Sequence, residues 1–80
     1  MNDDVKTILM FAMLAVRDFT RLNFNEFSIS SIKFDDKDKE YYYITIEFRN
    51  HKTRRDWVLR KSLLRKDIDT YFYKGSIDEN

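Results

Sequence analysis

Eighty residues allow one small domain and no second core. Fifteen Lys+Arg against fourteen Asp+Glu leave a net charge of +1, and 42% hydrophobic with 36% charged residues mark a folded rather than a disordered chain. The absence of Cys excludes a disulfide framework, a thiolate metal site and a thiol nucleophile; a single His and a single Gly exclude a His-rich metal cage and a Gly-rich phosphate loop, so no cofactor or metal is expected.

In chain order, Asn2 is placed to cap a helix whose first turn holds Asp3 and Asp4 and whose end holds Arg17 and Arg21, the order the helix dipole favours. At 100° per residue Val5, Ile8, Leu9, Ala12, Met13, Ala15, Val16, Phe19 and Leu22 share one broad face, which predicts a helix over about 3–22. Phe27, Ile29, Ile32 and Phe34 alternate with a slip in phase. A strand bulged near Ser30-Ser31 would set all four on one face. A polar turn over 35–39 leads into the clearest strand, 40–49, with Tyr42, Ile44, Ile46 and Phe48 on one side and Tyr41, Tyr43, Thr45 and Glu47 on the other.

Residues 50–74 admit two readings. Thr53 and Asp56 resemble a capping box for one long helix through Trp57, Leu64, Ile68 and Tyr71, but that helix would carry Arg54, Lys61 and Arg65 in its apolar arc. The alternative is a short strand over 55–60 with Trp57 and Leu59 inward. Ser62 then caps a helix over 63–74 whose arc of Leu64, Ile68, Tyr71 and Phe72 is free of charge and which ends at Gly75. The second reading gives an α+β fold, α-β-β-(β)-α: a small antiparallel sheet covered on one face by an N-terminal and a C-terminal helix. It forms a single compact domain over 1–75, with a frayed tail over 76–80.

The near-neutral total conceals a dipolar molecule. Over 49–66 stand eight cations, Arg49, Lys52, Arg54, Arg55, Arg60, Lys61, Arg65 and Lys66, against the one acid Asp56; the remainder of the chain has seven cations and thirteen acids. Such a block can neutralise phosphates and release their counterions, so nucleic acid, DNA or RNA, is the first expected partner. Its alternatives are an acidic protein and a solvated surface. Tyr41 and Tyr43 share a strand face and could stack unpaired bases, or serve only β-propensity and cross-strand packing.

Met10, Phe11 and Leu14 fall away from the main apolar face of the first helix, flanked by Lys6, Arg17 and Arg21. A helix apolar nearly all round pairs with something or is deeply buried, which makes these three the expected interface of a homodimer. His51 reads as a loop histidine. Asp35, Asp36 and Asp38, interleaved with lysines, read as a solvated turn rather than a calcium loop. Ser28, Ser30, Ser31 and Ser62 have no base partner evident in sequence, so nucleophilic catalysis is not expected.

The element order, with Arg60-Lys61-Ser62-Leu63-Leu64-Arg65-Lys66 at the start of the last helix, resembles in topology the double-stranded-RNA-binding domain, although the glycines of that family have no counterpart here. The resemblance implies shape-directed phosphate contact from Arg60, Lys61, Arg65 and Lys66.

The longest apolar run, 8–16, is too short to span a bilayer and follows acids rather than a basic segment, so a cytoplasmic protein with no membrane partner is expected. Residue usage leans towards AT-rich coding: Phe, Tyr, Met, Ile, Asn and Lys together supply 35 residues and Gly, Ala, Arg and Pro together 10, as in phages, mobile elements and low-GC bacteria. The function expected is that of a small non-enzymatic regulatory protein binding nucleic acid through 49–66. The alternative is a phage-type inhibitor or adaptor acting on a host protein.

Overall fold

The computed structural model describes residues 3–69. Helix α1 spans Asp3–Thr20, a single 3-10 turn spans Phe24–Glu26, and strands β1 (Phe27–Asp35), β2 (Tyr41–Asn50) and β3 (Arg55–Leu64) follow. A short helix, α2, covers residues 65–69. The strands form one antiparallel sheet in the order β1-β2-β3, so the chain is α+β with the layout α-β-β-β-α. No helix among the described residues is long and apolar enough to cross a membrane.

The core lies between α1 and one face of the sheet. Ala12, Ala15 and Val16 pack with Phe27, Ile44, Ile46 and Phe48, and the two small alanines let the helix approach the sheet closely. As the phase slip predicts, the β1–β2 register shifts between Ile29 and Ser31, and Phe27, Ile29, Ile32 and Phe34 keep to the core side. α2 covers the far end of the same face: Ile68 is buried, and the Tyr42 hydroxyl donates to the Asp69 carboxylate.

Helix α1 stops two residues before its predicted end. Arg21 takes up a left-handed conformation at φ 64° and its N–H donates to the Arg17 carbonyl at 2.7 Å. The Thr20 hydroxyl donates to the Val16 carbonyl and accepts the Leu22 N–H, and this turns the chain so that Leu22 drops into the core. Of the predicted apolar face, Val5, Leu9 and Phe19 are exposed, because the three-stranded sheet is narrower than the arc they would cover.

The region after residue 50 corrects the sequence reading. β3 does not end at 60, and no long helix starts at Thr53. The ladder runs on to Tyr42↔Leu63 and Tyr41↔Leu64, so Ser62 is a strand residue opposite Tyr43 and caps nothing. Continuing the strand keeps Leu63 on the core face, where it packs against the buried cluster. Leu59 points inward as expected. Trp57 lies on the same face opposite Phe48 but is 50% exposed, because α1 ends short of it; it lines a shallow groove with Phe19, Phe48 and Leu59. The expected capping Asn2, the helix beyond 69, Gly75 and the tail lie outside the described residues.

Candidate nucleic-acid interface

The turns decide where the cations point. In the β2–β3 turn the Asn50 side chain accepts the N–H groups of Lys52 and Thr53, and Arg54 closes the turn at φ 61°, donating its N–H to the Asn50 carbonyl. The 3-10 turn braces this tip: the Glu26 carbonyl accepts the His51 N–H, and the Glu26 carboxylate accepts the Asn23 N–H at 2.8 Å and lies 3.5 Å from the Lys52 ammonium. The Asn23 N–H, with Lys52 beside it, holds the Glu26 carboxyl below the usual glutamate range.

At the opposite end of the sheet the acidic β1–β2 turn is more than a solvated loop. Asp35 accepts the Lys37 N–H, and Asp38 accepts the N–H groups of Glu40 and Tyr41. Those two N–H donors, with Arg65 nearby, hold the Asp38 carboxyl below the usual aspartate range. Arg65 donates to the Asp36 and Asp38 carbonyls at 2.7 and 2.6 Å and lays its guanidinium 4.5 Å from the centroid of the Tyr42 ring.

These contacts divide the eight expected cations. Arg65 clamps the turn to the start of α2, Lys52 faces Glu26, and Arg49 donates to Asp56 at 3.1 Å. Lys66 is exposed beyond the end of β3. Arg54, Arg55, Arg60 and Lys61 remain, exposed and without a side-chain partner among the described residues. All four belong to β3 or the turn that enters it, and β3 is an edge strand. Strand alternation sends Arg60 to the outer face, opposite Thr45, and Lys61 to the core-side face, opposite Ile44, where it lines an open cavity with Ala15, Asp18 and Phe19 of α1.

The outer face is uncovered among the described residues. Tyr41, Tyr43, Thr45, Glu47 and Arg49 project from β2 while their neighbours Tyr42, Ile44, Ile46 and Phe48 are buried on the other side. Tyr43 is 45% exposed, and its ring centroid lies 6.3 Å from that of Tyr41. Lys33 of β1 stands opposite Thr45, so a row Lys33–Thr45–Arg60 crosses the face next to the tyrosines. Lys33 lies outside the basic block and is not among the site residues expected from the sequence; its place between Ile32 and Phe34, both on the core side, sends it to this face.

One further expectation changes. Ser28 does have a base partner: its hydroxyl lies 2.6 Å from His51 Nε2, which ties β1 to the turn tip. Both residues are exposed, and no carboxylate orients the imidazole among the described residues. Of the three residues expected at a homodimer interface, Met10 and Leu14 line a stripe with Leu9, Met13 and Phe24, and Phe11 is half-buried. Lys6 borders the stripe, and Arg17 stacks over the Phe24 ring at 5.1 Å.

No family model, curated protein or solved structure matches the chain. The likeness to the double-stranded-RNA-binding domain therefore rests on element order alone. The four residues it implied do not converge, since Arg60 and Lys61 leave the sheet on opposite faces and Arg65 is taken up by the β1–β2 turn.

Proposed function

We propose that this chain is a small, non-enzymatic regulatory protein that binds nucleic acid along the β3 edge of its sheet. The observation that carries the reading is that Arg54, Arg55, Arg60 and Lys61, the cations of the basic block without a side-chain partner among the described residues, fall on one edge strand or the turn that enters it, and the strand's single acid, Asp56, is already paired with Arg49. A phosphate chain following that edge meets charge without first breaking an ion pair. Affinity then falls steeply with salt, and Arg55→Ala and Arg60→Ala each flatten the log–log slope by about 0.7–0.9. Lys52→Ala changes it less, because Lys52 faces Glu26. Anisotropy titrations with labelled single-stranded and duplex DNA and RNA measure these slopes; failure of every oligonucleotide to bind at low salt would overturn the reading.

A second reading has its own observation. The stripe of Leu9, Met10, Met13 and Leu14 on α1, continued by Phe24 of the 3-10 turn, is an apolar surface no described element covers, and it supports self-association through that helix. Lys6 and Arg17 at its rim would face like charges across a two-fold axis, so this association strengthens with added salt, opposite to phosphate binding. Light scattering coupled to size exclusion should show a dimer that Leu14→Arg reduces to a folded 9.8 kDa monomer. A parent that stays monomeric at high salt and high concentration rejects it.

A further inference from the structure

We infer that the outer face of the sheet is a stacking platform for unpaired bases, with Tyr41 and Tyr43 taking the bases and the β3 side of the face taking the phosphates. The inference rests on the nucleic-acid reading above and names the class of nucleic acid: single strands, in preference to duplex.

The two tyrosines have little to pack against except each other. Across the ladder Tyr43 faces Asp35 on β1 and Ser62 on β3, and Tyr41 faces Leu64, itself 39% exposed. Neighbours as small as Ser62 and as polar as Asp35 leave the Tyr43 ring open, where a tyrosine serving cross-strand packing alone would sit beside a larger apolar partner; Tyr41, beside Leu64, is half-buried and extends the surface. The rings are tilted by 37° with centroids 6.3 Å apart, so they offer two adjacent surfaces side by side rather than one closed slot. Every base has a π-face, but a duplex keeps its faces stacked inside. A flat aromatic surface is therefore reached only by unpaired bases.

The charges around the tyrosines set the direction of the strand. On the β1 side Asp35 stands level with Tyr43 and repels phosphate. On the β3 side the Ser62 hydroxyl is level with it, and Arg60 follows about 7 Å along the strand, two residues on. Beyond Arg60 the outer face continues with Val58 and with Asp56, which is paired with Arg49, while Arg55 turns to the core side and Arg54 lies in the turn. A backbone laid along β3 with its bases turned inward over β2 meets the Ser62 hydroxyl and the Arg60 guanidinium and has β2 between it and Asp35; only its Tyr41 end comes near the acidic β1–β2 turn. Lys33, opposite Thr45 in the row of Arg60, faces the edge of the bases rather than the backbone.

The test is affinity of the full chain for labelled single-stranded homopolymers and for a duplex of equal length. Tyr43→Leu and Tyr41→Leu keep strand propensity and remove the ring. Each should weaken single-strand binding about five- to hundredfold, leave its salt slope unchanged and leave duplex binding as it was. Tyr43→Phe keeps the ring and should keep the affinity. If Tyr43→Phe loses as much as Tyr43→Leu, the hydroxyl rather than stacking carries the contact and the platform is overturned. If the leucine variants bind single strands like the parent while Arg60→Ala weakens binding, the platform is overturned and the nucleic-acid reading survives. If the parent prefers duplex, the platform is overturned; if it binds neither form, both readings fall.

Discussion

Arg21 and Arg54 hold the same backbone conformation, φ 64° and 61°, and neither is glycine. A Cβ in the left-handed region costs about 1–2 kcal/mol that glycine does not incur, although glycine gives back part of the gain as unfolded-state entropy. Arg21→Gly should therefore stabilise the fold by up to about 1 kcal/mol, seen as a higher urea midpoint at unchanged slope. Arg54→Gly should stabilise it similarly. The two differ in what else they remove. Arg54 leads into the cationic edge and Arg21 does not, so only the Arg54 change should weaken binding to oligonucleotides. A pair of substitutions alike in backbone effect thus separates relief of strain from loss of charge.

At the scale of elements, Ser62 is the sharpest case. As a helix cap its loss would cost about 0.5–2 kcal/mol, but as an exposed strand residue opposite Tyr43 its replacement by alanine should stay within about 0.5 kcal/mol of neutral. Chemical denaturation of Ser62→Ala against the parent reads the difference. The reason the sequence misleads here is local. Ser62 after two cations and before two leucines has the composition of a helix start, and only the partner strand, which offers Tyr42 and Tyr41 to Leu63 and Leu64, extends β3 past it. Where a pattern is internal to one element it was legible: the 3.6-residue period of α1, the alternation of β2, and the slip that becomes the bulge at Ser30-Ser31. Where the outcome depends on a second element it was not. The capture of Arg65 by the Asp36 and Asp38 carbonyls joins positions nearly thirty residues apart, and the meeting of Ser28 with His51 needs the 3-10 turn to bring the hairpin tip back to β1. The candidate site follows the same rule. The basic block is plain in the sequence, but the division between cations held in contacts and cations left open comes from register and turn geometry.

At the scale of the molecule, the described helices lie on one face of the sheet and no described element covers the other. The edges also differ. β1 carries a bulge, with the Ser30 hydroxyl donating to the Glu47 carbonyl, and such an irregularity spoils the edge as a template for another strand. β3 runs ten residues with no register shift against β2, and Trp57, Val58 and Leu64 are exposed along it. What stands against stray pairing there is charge, chiefly Arg60 and Lys61 in mid-strand, one on each face. The residues proposed to meet phosphate are thus also gatekeepers against aggregation. Neutralising both, as in Arg60→Ala with Lys61→Ala, should lower solubility and raise binding of an amyloid dye on standing, while Lys37→Ala with Lys39→Ala, which removes the same charge from the β1–β2 turn, should do neither. Equal solubility of the two double variants would show that the edge needs no such guard. If the first aggregates, the proposed affinity for polyanions could not be lost by mutating this edge without exposing a sticky strand, and selection for staying dissolved would preserve the basic edge even where nucleic acid is never met.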